Sequence, residues 1–261
     1  RDQPRSRWLG DVYKRQLIIH SKCPMPPEPN FEVSMGTGSV HVPDVVLFPT
    51  TTEQVSEIVR TCNEFDVPFV PRGAGTSLAG GCLPVGGGVM ISLTRMNSIL
   101  EVNLQDRYAV VQPGLVNLHL TRHLAGTGFH YAPDPSSQGA CTIGGNVATN
   151  SGGPHPLKYG VTVTHVLGLE VVMPDGQVVE IGGVAEGLAG FDLVGLFVGS
   201  EGTFGICTQV TVRLTRNPDA YRTLLGIFET VGDATQALSQ TVSYTHLRAH
   251  ETEADLVCRR L

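Results

Sequence analysis

No stretch of this chain approaches the roughly 18 consecutive apolar residues that a membrane-spanning helix requires. Its one early apolar cluster, Leu17 to Ile19, is also too short for the core of a secretory leader. A cytoplasmic protein is the expectation that remains. Cysteines at metal or redox spacing are missing too: the six present (Cys23, Cys62, Cys82, Cys141, Cys207, Cys258) are far apart and form no C-x-x-C pair. In a chain with enough apolar residues for a core, that spacing argues against a disulfide framework and for buried thiols. Positive charge is scarce, with 18 Lys and Arg against 24 Asp and Glu and a net charge of −6. The body of the chain has no basic cluster, which argues against nucleic acid as a partner. Two common phosphate-binding templates are absent as well. There is no G-x-x-x-x-G-K-S/T, and Gly73-x-Gly75 lacks the third glycine of the dinucleotide fold.

Glycine, by contrast, is abundant. The 31 glycines gather in a few loops without a period, which favours ligand-wrapping loops over a repeat or a fibre. A length of 261 residues with 41% apolar composition permits one large domain or two small ones. The most telling loop is Val70 to Gly81, VPRGAGTSLAGG, which follows a short apolar strand signal and holds four glycines and one fixed cation, Arg72. Backbone without Cβ atoms can bring successive N–H groups onto phosphate oxygens, and Thr76 and Ser77 add hydroxyl donors. Tight strand connections use the same composition, so the loop alone leaves both readings open.

In chain order, residues 1–16 are basic, contain the only tryptophan and show no period. The stretch SYTHLRAHETEADLVCRRL interrupts an apolar pattern in mid-element. Both ends resemble translated adaptor or vector read-through, so residues 1–16 and 244–261 are expected to be non-native. After a Pro-rich linker, Pro43 to Phe48 reads as a strand. Thr50 or Thr51 with Glu53 or Gln54 then has capping-box spacing, and Val55, Ile58, Val59 and Cys62 mark the core face of a helix. Phe69-Val70 leads into the glycine loop, a strand–helix–strand unit of the length a parallel pair requires. The loop thus sits at the C-terminal end of a strand, where open α/β sheets bind ligands. Val89 to Leu93, Ile99 to Val102 and Tyr108 to Val111 are further strands, and a short helix is predicted from Val116 to Ala125. Phe129 to Gly160 shows little regular pattern, and its apolar and aromatic content points to a functional loop. Pro174-Asp175-Gly176 joins Val166–Met173 to Gln177–Ile181 as a hairpin. A brief helix is predicted over Leu193 to Val198, a strand over Cys207 to Leu214, another from Tyr221 to Phe228, and a helix from Asp233 to Leu238.

Three more segments of small residues accompany the first: Pro133 to Ser137, Ile143 to Gly153 and Gly199 to Ile206. Together they resemble the FAD-binding, PCMH-type domain of the vanillyl-alcohol oxidase and para-cresol methylhydroxylase superfamily, over roughly Pro43 to Thr215. PRGAGTSLAGG, QPG, APDPSSQ, IGGNVATNSGG, KYG, VLGLEVV and GSEGTFGI are most similar to the group of glycolate oxidase flavoprotein subunits and D-lactate dehydrogenases. The resemblance implies an α+β fold of two α+β subdomains, 43–100 and 101–215, with FAD between them, and the truncated start of a substrate domain at 216–243. It places Arg72, Gly73, Ala74, Gly75, Thr76 and Ser77, with Gly80 behind, around the FAD diphosphate. Pro133, Asp134, Ser136 and Ser137 match a second contact region. Gly144, Gly145, Asn146, Ala148, Asn150 and Gly152 match a segment beside the flavin, and Glu201, Gly202 and Ile206 a segment that closes over the adenine or isoalloxazine end. Covalent members carry a histidine where Thr76 stands here, so the expected FAD is non-covalent.

The implied activity is that of a D-2-hydroxy-acid dehydrogenase, which moves hydride from substrate C2 to flavin N5 and passes electrons to an iron–sulfur partner or the quinone pool. Implied partners are a small 2-hydroxy acid and iron–sulfur and second flavin-domain subunits, with a cytoplasmic location that becomes peripheral at the inner membrane through those subunits. The catalytic and metal residues of such enzymes would lie beyond this chain, which is expected to be inactive alone. Alternatives are a non-catalytic FAD-binding subunit of an oxidase complex and another flavoenzyme of the same fold. Among single residues, His155 beside Lys158 and Tyr159 is either a base near substrate or a backbone-bonding loop histidine, the commoner case. His119 and His123 have metal-ligand spacing on a helix but no third ligand in view, and Cys141 reads as a small buried filler.

Overall fold

The computed structural model describes residues 19–20, 41–184, 190–224, 226–247 and 253–256. The expectations for residues 1–16, for the Pro-rich linker and for much of the 244–261 stretch fall outside them. The chain divides into two compact units, 1–215 and 216–261.

The first unit opens with a four-stranded sheet of order β1-β2-β4-β3, made of β1 (Ile19–His20), β2 (Val45–Leu47), β3 (Phe69–Arg72) and β4 (Val89–Ser92). Helix α1 (Thr52–Glu64) links β2 to β3. Thr51 is its N-cap: the hydroxyl accepts from Gln54 N at 3.4 Å, while Gln54 Oε1 reaches back to Thr50 N at 2.7 Å. That exchange satisfies donors a helix start would otherwise leave bare. The helix buries Val55, Ile58, Val59 and Cys62 against Val45, Leu47, Val89 and Ile91, each large side chain contributing roughly 2 kcal/mol. The parallel arrangement differs from the expectation in one respect. Strands β2 and β3 are not neighbours, because β4 enters between them and pairs parallel with both. Its four residues are all buried, so burial on both faces selects the central place. Gly88 permits the entry: its φ is +79°, and a Cβ there would collide with the Pro68 carbonyl that accepts from Val89 N.

The second sheet is antiparallel, of order β5-β6-β10-β8-β9: β5 (Ile99–Asn103), β6 (Tyr108–Val111), β8 (Val166–Val172), β9 (Val178–Gly182) and β10 (Ile206–Arg213). Between β6 and β8 lie α2 (Asn117–His123), β7 (Phe129–His130), α3 (Ile143–Thr149) and α4 (Pro156–Tyr159), while α5 (Leu193–Phe197) precedes β10. Val210, Val212 and Leu214 are buried with Leu120, Ile143, Val147 and Phe197 in a second core. The two cores meet where Val172 and Ile206 of the second sheet enter the first cluster.

The segment read as patternless, Phe129 to Gly160, contains two helices. Helix α3 was hidden because Gly144 and Gly145 are weak helix formers. Capping and burial override them: Thr142 Oγ1 accepts from Gly145 N at 3.3 Å, Ile143 and Val147 are buried one turn apart, and Asn150 ends the helix at φ +47°. The helix predicted from Val116 to Ala125 is the shorter α2. In the second unit, β11 (Thr215–Arg216) stands at the boundary, β12 (Tyr221–Leu224) pairs parallel with β13 (Glu253–Leu256), and α6 (Val231–Leu247) lies between them in sequence. The predicted strand to Phe228 therefore stops at Leu224, and the predicted helix is longer than Asp233 to Leu238.

Candidate cofactor site

A cleft of about 300 Å³ lies in the first unit, between the end of β3, the start of α3 and the turn before β10. Three chain segments form its walls. Arg72, Gly73, Ala74, Gly75, Thr76 and Ser77 supply one; Gly144, Gly145, Asn146 and Ala148 of α3 supply the second, with Ser137 beside them; Glu201, Gly202 and Ile206 supply the third. The rest of the predicted residues do not line the cleft. Gly80 turns the first loop at φ +72°, its carbonyl accepting from Leu83 N. The Pro133 carbonyl accepts from Asn117 Nδ2 at 2.9 Å, and Asp134 Oδ2 meets His155 Nδ1 at 2.6 Å. Asn150 Oδ1 accepts from Val163 N at 2.9 Å, and Gly152 sits against Val161 and Pro156. Ser136, like these, does not line the cleft.

Several lining residues escaped the sequence reading, among them Cys82, Thr142, Thr149, Ser151, Phe197 and Ser200. All but Phe197 lie within the four loops or one residue beyond them, and nothing in their type distinguished inward from outward. Of the single residues weighed, Cys141 lines the cleft at 4% exposure, and burial pushes its thiol up. His119 and His123 are exposed on α2, and among the described residues no three His, Cys, Asp or Glu side chains come together as metal ligands would.

The donor set suits an anionic ligand with a polar ring edge. Arg72 is the one cation among the described lining residues, and its guanidinium folds over Gly75, where φ is +75° and a Cβ would strike it. Within the described structure the N–H groups of Ala74 to Ser77 find no backbone or side-chain acceptor. At the opposite wall Asn146, 2% exposed, holds its Nδ2 without a hydrogen-bond partner among the described residues, and Ser200 Oγ is likewise unpaired. A buried amide donor left unpaired costs about 1–3 kcal/mol, so a ligand acceptor is what completes this wall.

The comparisons with known proteins agree with that chemistry. The model of a family described as "FAD binding domain" matches residues 43–182, more than half of the chain. The chain belongs to this FAD-binding family. Its cofactor is FAD, and the chemistry of the cleft suits such a group: unpaired N–H groups and the Arg72 guanidinium are donors of the kind a diphosphate takes, and the unpaired Asn146 amide is a donor of the kind a polar ring edge takes. The FAD domain is 45% identical to the glycolate oxidase subunit GlcD of Bacillus subtilis (strain 168) over 203 residues, 77% of this chain and 43% of that protein. It is 46% identical to GlcD of Escherichia coli (strain K12), over 77% of this chain and 40% of that one. Against the D-lactate dehydrogenase of Anaerostipes hadrus it is 40% identical, over 76% and 42% respectively. Among solved structures, an alkyldihydroxyacetonephosphate synthase superposes with a TM-score of 0.67 at 28% identity, covering 78% of this chain and 38% of that one. The 6-hydroxy-D-nicotine oxidase of Arthrobacter nicotinovorans shares the fold, with a TM-score of 0.62 at 21% identity, over 78% of this chain and 43% of that one. The chain thus spans about two fifths of the length of these curated relatives.

Proposed function

We propose that this chain is the FAD-binding portion of a D-2-hydroxy-acid dehydrogenase of the glycolate or D-lactate type. The observation that carries the reading is a cleft whose three walls come from segments that also carry the resemblance to glycolate oxidase subunits, with Arg72 and Asn146 as its fixed donors. Relatives named as glycolate oxidase subunits and D-lactate dehydrogenases support it.

Bound FAD supplies a two-electron acceptor for the C2 hydride of a 2-hydroxy acid. The chain's own residues bind and orient. Gly73 to Ser77 present backbone donors, Arg72 balances anionic charge, and Thr76, which carries no imidazole, leaves the cofactor non-covalent. Leu93, Pro113 and Phe197 form apolar lining that excludes water from one side. The groups that bind the substrate carboxylate and any metal belong to the rest of the longer polypeptide, and residues 216–243 begin that part. Iron–sulfur and second flavin-domain subunits are the proposed electron partners, in the cytoplasm or at the inner face of a membrane.

The test uses the full-length protein. Anaerobic addition of glycolate or D-lactate should bleach the flavin absorbance, and heat or acid should release FAD into the supernatant. A flavin untouched by either acid ends the substrate assignment, whereas flavin that stays with the precipitate ends the non-covalent one.

A further inference from the structure

Cys82 closes the first glycine loop and lines the same cleft, a position at which the sequence reading saw only a buried thiol. Its surroundings differ from those of the other described cysteines. Cys62, Cys141 and Cys207 are buried, and burial pushes Cys62 to about 11, Cys207 to about 12 and Cys141 upward, so their thiols stay protonated and inert. Cys82 is half-buried, and Arg72 Nη1 faces its sulfur at 3.7 Å. A partly exposed sulfur beside a fixed cation is the setting in which cysteines react with anionic reagents. Independently of the cysteine, the buried and unpartnered Nδ2 of Asn146 across the cleft shows that this space is built to receive a ligand.

We propose that Cys82 is a modification site that forms a mixed disulfide with a small anionic thiol, and that this adduct and FAD exclude each other from the cleft. The proposal rests on the reading of the cleft as the FAD site. In the reaction the Cys82 sulfur attacks one sulfur of a low-molecular-weight anionic disulfide. The reagent's S–S bond breaks as the new one forms, the displaced half leaves as a thiol, and the Cys82 proton goes with it or to solvent. Cys82 is oxidised and the departing half reduced, so no further oxidant is needed. Arg72 then faces the anionic group of the adduct, where the same guanidinium would otherwise face the cofactor. The modification is reversible by an external thiol.

The experiment treats the flavin-free full-length protein with dithiobis(nitrobenzoate), an anionic aromatic disulfide whose coloured leaving group reports each exchange, and locates the adduct by peptide mass spectrometry. Reaction is expected first at Cys82, and at least tenfold more slowly when FAD saturates the protein. The adduct-bearing chain should take up FAD at least tenfold more weakly, as read by flavin fluorescence, and recover on reduction with dithiothreitol. Cys82→Ala and Cys82→Ser, each compared with its own untreated sample, should lose none of their FAD uptake to the reagent. Equal labelling with and without FAD, or unchanged FAD uptake by labelled protein, overturns the proposal and leaves the cofactor reading standing. An untreated chain that is folded by circular dichroism and takes up no FAD overturns the cofactor reading, and the proposal falls with it.

Discussion

His155 Nδ1 meets Asp134 Oδ2 at 2.6 Å, so two loops 21 positions apart are joined just outside the cofactor cleft. Gly153 makes the approach possible, since a Cβ there would collide with both the carboxylate and the carbonyl of Asp134. The loop geometry therefore rests on the missing side chain more than on the hydrogen bond, whose members are 49% and 24% exposed. Gly153→Ala should cost about 1–3 kcal/mol by forcing the backbone apart. His155→Ala should cost no more than about 1 kcal/mol, as an exposed pair does. Urea denaturation of the two variants checks the ranking, and the reverse order would mean that the 151–155 loop yields without strain.

Gly144 of α3 and Gly139 ahead of that helix make a sharper contrast. A Cβ on Gly144 would run into the Pro113 ring and carbonyl, and Gly144 N donates to that carbonyl at 2.8 Å. Gly139 has nothing within 4 Å of such a Cβ. Gly144→Ala should therefore lose about 1–3 kcal/mol of stability and most of its bound flavin, and Gly139→Ala should stay within about 0.5 kcal/mol of the parent. Thermal melting and the flavin-to-protein absorbance ratio read both. Normal flavin content in Gly144→Ala would show that the α3 wall can retreat from Pro113 without harm to the site.

These positions also show where the sequence was legible. The alternation of Val210, Val212 and Leu214 and the stripe of Val55, Ile58, Val59 and Cys62 announce their elements, because each pattern has one period and one buried face, and Pro174-Asp175-Gly176 announces its turn by residue type. Helix α3 does not announce itself, since two glycines mask a helix that Thr142 and the burial of Ile143 and Val147 hold in place. Nor does β4 declare that it will part β2 from β3, because strand order depends on non-local pairing. The loops around the cleft can be named from their glycine content. Which of their side chains face inward cannot: Asp134 and Asn150 turn away to bond His155 and Val163, while Cys82 and Ser200 turn in.

The two sheets are clamped by side chains of α1 that reach the β8–β9 turn. Ser56 Oγ donates to the Gly176 carbonyl at 2.6 Å, Arg60 Nη2 donates to the same oxygen at 3.0 Å, and Asn63 Nδ2 donates to the Pro174 carbonyl at 2.6 Å. Removing one donor from a shared acceptor costs less than removing both. Ser56→Ala and Arg60→Ala should each cost about 1 kcal/mol, and the double variant should exceed their sum by about 0.5 kcal/mol or more. A double-mutant cycle in urea measures the excess. Strict additivity would mean that water replaces either donor without loss.

His165 gives the protein a pH dependence whose sign follows from its burial. The imidazole is 5% exposed, its Nε2–H donates to the Tyr159 carbonyl at 2.8 Å, and the Tyr131 ring stands edge-on at 6.3 Å between centroids. Burial, aided by the nearby Arg213 charge and opposed by the hydrogen bond to Tyr159, holds its pKa below the ordinary 6.5. Well above that value the ring is neutral in both states and contributes no pH dependence. As pH falls through about 6.5 the unfolded chain takes up a proton that the folded protein refuses, so stability drops until the folded pKa is reached. Unfolding free energies at about pH 7.5 and about pH 5.5 should therefore differ more in the parent than in His165→Asn, which cannot titrate. Comparison with the variant cancels every group that the two proteins share. An equal difference in the two proteins would mean that the buried ring protonates in the folded state as readily as in water.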